Sequence, residues 1–138
     1  MAAFNKFHCA VADGWNGKHN LASDVLKIFL TNTAPAASNT VKSNIPEITA
    51  GNGYSAGGVA IPVSSSSQVS GLYSLVPAAD QTITASGGVI GPFRYAVLYN
   101  DTSATKPLIS FYDYGAAITL NAGESLLLDA QATLFTSQ

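Results

Sequence analysis

The sequence predicts an all-β fold. Residues 1–138 read as a single domain, an antiparallel β-sandwich or barrel with a long irregular loop near residues 32–58. Three observations carry this. Short runs of apolar, β-branched and aromatic residues recur after Gly58, each closed by glycine, proline or asparagine. No stretch of ten or more residues after Phe29 has convincing helical periodicity. The 138 residues, 47% of them hydrophobic, are enough for one core, and the single cysteine excludes an internal disulfide.

The elements follow in chain order. Phe7, Cys9 and Val11 alternate with Lys6, His8 and Ala10, which favours a strand over a short helix. Residues 1–22 read as an arm or edge segment, with turn chemistry at Asp13-Gly14-Trp15-Asn16-Gly17. Val25–Thr31 is the clearest strand: Leu26, Ile28 and Leu30 point one way, Lys27 and Thr31 the other. Residues 32–58 lack periodicity and form the long loop, with one helical turn near Ile45-Pro46-Glu47-Ile48. Strands are then predicted at Val59–Val63, Gly71–Val76, Gln81–Ala85, Phe93–Tyr99, Pro107–Tyr114, Ala117–Leu120, Ser125–Leu128 and Ala132–Phe135. Gly87-Gly88, Asn100-Asp101, Gly115 and Asn121-Ala122-Gly123 supply the turns, and Ser64–Ser67 is the solvent side of a strand or a loop.

Only 10% of the residues are charged, against roughly 25% in an ordinary domain, and the net charge is -2. Wrapping nucleic acid needs clustered Lys and Arg, and Arg94 is the sole arginine. The start, Met1–Lys6, lacks a basic region followed by an apolar run. The apolar stretch Val25–Leu30 is interrupted by Lys27 and is far shorter than the roughly 20 residues that span a bilayer. The chain therefore reads as cytosolic at synthesis, with no nucleic-acid partner and no membrane.

A search for reactive constellations yields nothing that favours an enzyme. Cys9, His8, His19, Asp13 and Asp24 cluster near the start, but adjacent residues on a strand face opposite ways, so Cys9 reads as a small buried hydrophobe. Asp101, Asp113, Glu124 and Asp129 are spread over separate turns and strand ends, without the spacing of a metal loop. The glycine-rich Gly51–Gly58 lacks the Lys-Ser/Thr of a phosphate loop, and its glycines serve close backbone approach. No cofactor is implied. The aromatics remain. Phe93, Tyr95 and Tyr99 share one strand face; Phe111, Tyr112 and Tyr114 crowd another. Tyrosine and arginine are favoured at protein interfaces. The interface candidates are Phe4, Phe7, Trp15, Asn52, Tyr54, Arg94, Tyr112 and Tyr114.

Several blocks carry a resemblance. They are Phe4–Phe7, Lys18–Asp24 leading into Leu26-Lys27 and Leu30–Pro35, and Asn39-Thr40-Val41 with Glu47–Gly58. Ile90–Thr102, Pro107-Leu108-Ile109 with Asp113-Tyr114-Gly115, and Ile118-Thr119-Leu120 with Gly123-Glu124 complete the set. Across nearly the whole chain these phrases resemble small tailed-bacteriophage virion structural proteins, most of all a head decoration, or cement, protein. The resemblance implies binding to the major capsid protein at junctions on the outer head surface, as a homotrimer. It implies a location in the virion after synthesis in the host cytoplasm. The alternatives are a tail or baseplate component, or a glycan-binding host-recognition module using Tyr112 and Tyr114.

Overall fold

A computed structural model of the chain describes residues 3–78, 81–128 and 135–137. Its elements are β1 (Ala3–Lys6), α1 (Cys9–Trp15), β2 (Leu26–Thr31), β3 (Val59–Ile61), β4 (Val63–Val69), β5 (Leu72–Pro77), β6 (Gln81–Thr84), β7 (Ile90–Asn100), β8 (Leu108–Leu120), β9 (Ser125–Leu128) and β10 (Phe135–Ser137). The all-β prediction holds. A five-stranded antiparallel sheet has the order β1-β8-β7-β2-β3, and it does not close into a barrel. A three-stranded sheet, β10-β5-β4, and a two-stranded sheet, β6-β9, accompany it.

The central strands β2 and β7 are buried on both faces. Leu26, Ile28 and Leu30 enter the larger core with Ala96 and Leu98, as their alternation predicts. Ile61, Leu75, Ile83 and Leu128 bring β3, β5, β6 and β9 into that same core, so all three sheets meet there. On the opposite face Phe29, Val97 and Tyr99 join Phe7, Ile45 and Leu108 in a second, smaller core. Each fully buried Leu, Ile or Phe contributes about 1.5–3 kcal/mol, so both faces of the sheet need cover.

The long loop supplies part of that cover. Strand β3 pairs with β2 only over Leu26–Ile28. Beyond Ile28 the loop takes the place of a strand: Ile48 N–H donates to Leu30 O at 3.1 Å, and Leu30 N–H donates to Tyr54 Oη at 3.0 Å. Thr31 Oγ1 donates to Pro46 O at 2.6 Å. Glu47 ties these contacts together. Its carboxylate accepts from Tyr54 Oη at 2.6 Å, Gly57 N–H at 2.8 Å and Lys42 Nζ at 2.9 Å. The Lys42 ammonium lies 4.9 Å from the Phe29 ring centroid, a cation–π arrangement over the second core. Tyr99 Oη donates to Gly57 O at 2.6 Å and closes the circuit. Gly58 follows with φ +86°, and a Cβ there would fall on the Ile28 carbonyl. The close backbone approach expected of these glycines is real at this position.

Four local expectations are corrected. Residues 9–15 are helix, not strand: Phe7, Ala10 and Asp13 recur every three residues and are all buried, so the helical period wins over the alternation. The helical turn lies at Lys42–Asn44, not at 45–48, because Pro46 disfavours helical geometry at Ile45, which is extended. Gly115 does not end a strand. It sits at φ +85° inside a continuous β8, where the pairing jumps from Tyr95↔Asp113 to Phe93↔Ile118. That irregularity also separates Phe93 from Tyr95 and Tyr99: Phe93 lies in the larger core, Tyr99 in the smaller. Ser64–Ser67, expected on a strand or in a loop, belongs to strand β4. The strand expected at Ala132–Phe135 lies largely outside the described residues.

Tyr54→Phe removes the hydroxyl that serves both Leu30 and Glu47, and is expected to lower unfolding free energy in urea by about 1–3 kcal/mol. Gly58→Ala forces a left-handed φ against a carbonyl, and is expected to cost about 3 kcal/mol in the same assay.

Candidate functional site

Seven of the eight interface candidates separate into interior and surface residues, and Phe4 is placed by its strand register. Phe7 is fully buried and packs its ring 5.1 Å from that of Phe111. Tyr54 and Tyr112 are 3% and 5% exposed and belong to the larger core. Tyr114 is half-buried, edge-on to Phe93. Phe4 is paired with Tyr112 through β1 and β8. Three side chains reach the surface in different parts of the fold. Trp15, at the end of α1, is 89% exposed. Asn52 is exposed at φ +56°, its Nδ2 donating to Val89 O. Arg94 grips Asp113 with two hydrogen bonds, at 2.8 and 3.1 Å, and lies over the Tyr95 ring.

The residues around α1 form a concavity. A groove of about 610 Å³ runs between α1, the turn that follows it, and strands β4 and β5. Ala10, Leu21 and Ile109 supply apolar lining; His19, Asn20, Ser66 and Tyr73 supply polar groups; Trp15 stands at its margin. Ser66 Oγ and Tyr73 Oη are hydrogen-bonded at 2.8 Å.

His19 is held by Asn100, which is fully buried at the end of β7. Asn100 Oδ1 accepts from the Thr102 and Ser103 backbone N–H groups, which orients the amide. Its Nδ2 therefore faces Asp24 Oδ2 at 2.7 Å and His19 Nδ1 at 3.0 Å, donating to both. Nδ1 is thus the acceptor, and the neutral ring carries its proton on Nε2. That Nε2–H is buried and has no partner among the described residues. Burial lowers the His19 pKa, opposed by Asp13 and Asp24. The turn expected at Asn100-Asp101 is present, but Asn100 is also the anchor of this network, a role its place in a turn motif does not reveal.

Cys9 is half-buried at the start of α1, with Sγ 3.5 Å from Leu108 O. Burial, reinforced by the Asp13 carboxylate, pushes its thiol up, so it is protonated at neutral pH. His19 faces Asn100 and does not fold back onto Cys9. Asp101 pairs with Lys106 and Lys27 at 2.6 and 3.2 Å, and Glu124 closes the turn after β8 through Asn121 N–H. Asp129 lies outside the described residues. Among the described residues, no three His, Cys, Asp or Glu side chains gather as metal ligands, and no helix is long and apolar enough to cross a membrane. No known protein family, curated protein or solved structure matches the chain.

The His19 arrangement has a pH signature. Its pKa is lower folded than unfolded, so below the ordinary value near 6.5 the unfolded chain binds the extra proton first. Stability is expected to fall as pH drops through about 6.5, read as the urea midpoint, and His19→Asn is expected to remove that step. Asp101 and Asp113, held low by Lys106 and Arg94, lose their contribution only in more acidic solution, below about pH 4.

Proposed function

We propose that the chain is a structural subunit of a bacteriophage virion, a head decoration protein that binds the major capsid protein on the outer shell as a homotrimer. The observation that carries this reading is the uncharged edge strand β4. It ends the three-stranded sheet, so among the described residues one row of its backbone N–H and C=O groups has no strand beside it. Its sequence, Val63-Ser64-Ser65-Ser66-Ser67-Gln68-Val69, holds no charge and no interior proline, and Val69 is 75% exposed. Natural edges are normally blunted by lysine, proline or a covering element, because a bare edge pairs with other chains. An edge left open suits a protein whose working state is assembled.

The blocks behind the virion-protein resemblance support the same reading. Glu47–Gly58 supplies most of the pinned loop, and Ile90–Thr102 supplies β7 with the Asn100 anchor. These are building roles. A ligand that binds only the assembled shell stabilises it by mass action, and repetition over the lattice multiplies the effect. Interface cores are depleted of charge, which fits the 10% charged composition.

Light scattering of the purified chain is expected to give a trimeric mass. Ser67→Lys, at an exposed position on β4, is expected to shift that mass to the monomer without lowering the melting temperature. A parent chain that is already monomeric contradicts the proposed oligomer. Cryo-EM of virions carrying the chain is expected to show it on the outer head surface; density confined to the tail contradicts the head assignment.

A further inference from the structure

We propose that the groove beside α1 binds a neutral carbohydrate, with the Trp15 indole as its stacking platform. This inference does not depend on where in a virion the chain sits, and it uses neither Tyr112 nor Tyr114. The groove volume of about 610 Å³ lies within the usual range of small-molecule sites, roughly 300–1,000 Å³. None of its twelve lining residues is Asp, Glu, Lys or Arg. A phosphorylated or carboxylated ligand would find no counter-charge there.

A purely apolar ligand fits no better. It would desolvate the Asn20 amide and the Ser66–Tyr73 hydroxyl pair for nothing. The lining calls for a molecule with a flat apolar face and hydroxyls around its edge. A pyranose ring has that form. Its polarised C–H face stacks on the electron-rich face of an indole, and its hydroxyls accept from or donate to amide, imidazole and hydroxyl groups. Trp15 is 89% exposed on the groove margin, and Val11 beside it is 45% exposed. Large apolar side chains so placed gain most from a ligand that covers them. The His19 ring in the groove wall is held in place by the Asn100 amide, whose orientation two backbone N–H groups fix. Gly14 and Gly17 line the groove with open space where a Cβ would stand.

The test is the intact chain on an array of neutral, sialylated and sulfated glycans, followed by fluorescence titration with the best-bound neutral glycan. Trp15 is the chain's single tryptophan, so red-edge excitation reports this site alone. The expected result is selective retention of neutral glycans and a saturable change in Trp15 emission. Trp15→Ala, at an exposed position, is expected to weaken binding about tenfold or more, or about 1.4 kcal/mol, with the melting temperature unchanged. Asn20→Ala, also exposed, is expected to weaken it while leaving the Trp15 emission of the free protein intact. Absence of any neutral hit, preference for acidic glycans, or binding indifferent to Trp15→Ala would overturn the proposal. So would a loss of oligomer mass in Trp15→Ala, which would make the groove a contact between copies of the chain.

Discussion

The Glu47 carboxylate has three donors from one loop: the Lys42 ammonium, the Tyr54 hydroxyl and the Gly57 amide. A mostly buried carboxylate is costly unless its oxygens are hydrogen-bonded, and here each bond fixes a different part of residues 42–57. Through Tyr54 the tie reaches Leu30 N–H, and so the edge of β2 that β3 leaves uncovered. Through Lys42 it reaches the rings of Phe29 and Tyr99. The loop thereby adds contacts to a sheet whose central strands are buried on both sides. Without it Ile45 would not cap the smaller core, and the Leu30 backbone would face no partner.

The same economy governs the surface. Lys18, Lys27, Lys42, Arg94 and Lys106 are each engaged with a carboxylate of their own chain. Few charges remain to steer a partner, so association through this surface rests on backbone pairing, shape and apolar contact, and is only weakly screened by salt. The open edge of β4 and the groove under Trp15 are two consequences of one composition: a chain with little charge leaves neutral surfaces, and neutral surfaces suit repeated assembly and uncharged ligands.

Much of this architecture is legible in the sequence, for identifiable reasons. Strand β2 announces itself because Leu26, Ile28 and Leu30 obey a period of two, and β7 because its residues are β-branched and aromatic. The N-terminal helix is hidden because Phe7, Cys9 and Val11 also alternate, while the decisive period, Phe7–Ala10–Asp13, includes a small residue and an acid. Gly115 mimics a strand end because glycine serves both turns and irregular pairing. The site residues are harder still. Tyr54 and Tyr112 read as surface aromatics because tyrosine suits either place; only the tertiary partners Leu30 and Glu47 show that the Tyr54 hydroxyl is spent inside. Nothing local marks Glu47 or Asn100, and the Asn100 partner His19 lies 81 residues away. Trp15, among turn residues with no apolar periodicity around it, is the candidate whose exposure the sequence conveys best.

Amide hydrogen exchange, followed residue by residue on the isolated and the assembled protein, tests the central claim most directly: a locked interior beside an edge kept open for neighbours. The account predicts slow exchange at Leu30, Ile48 and Gly57 in both states, close to the global unfolding limit. It predicts fast exchange at the outward amides of β4 in the isolated chain and strong protection there after assembly. Rapid exchange at Leu30 and Gly57, or β4 amides that assembly leaves unchanged, would contradict it.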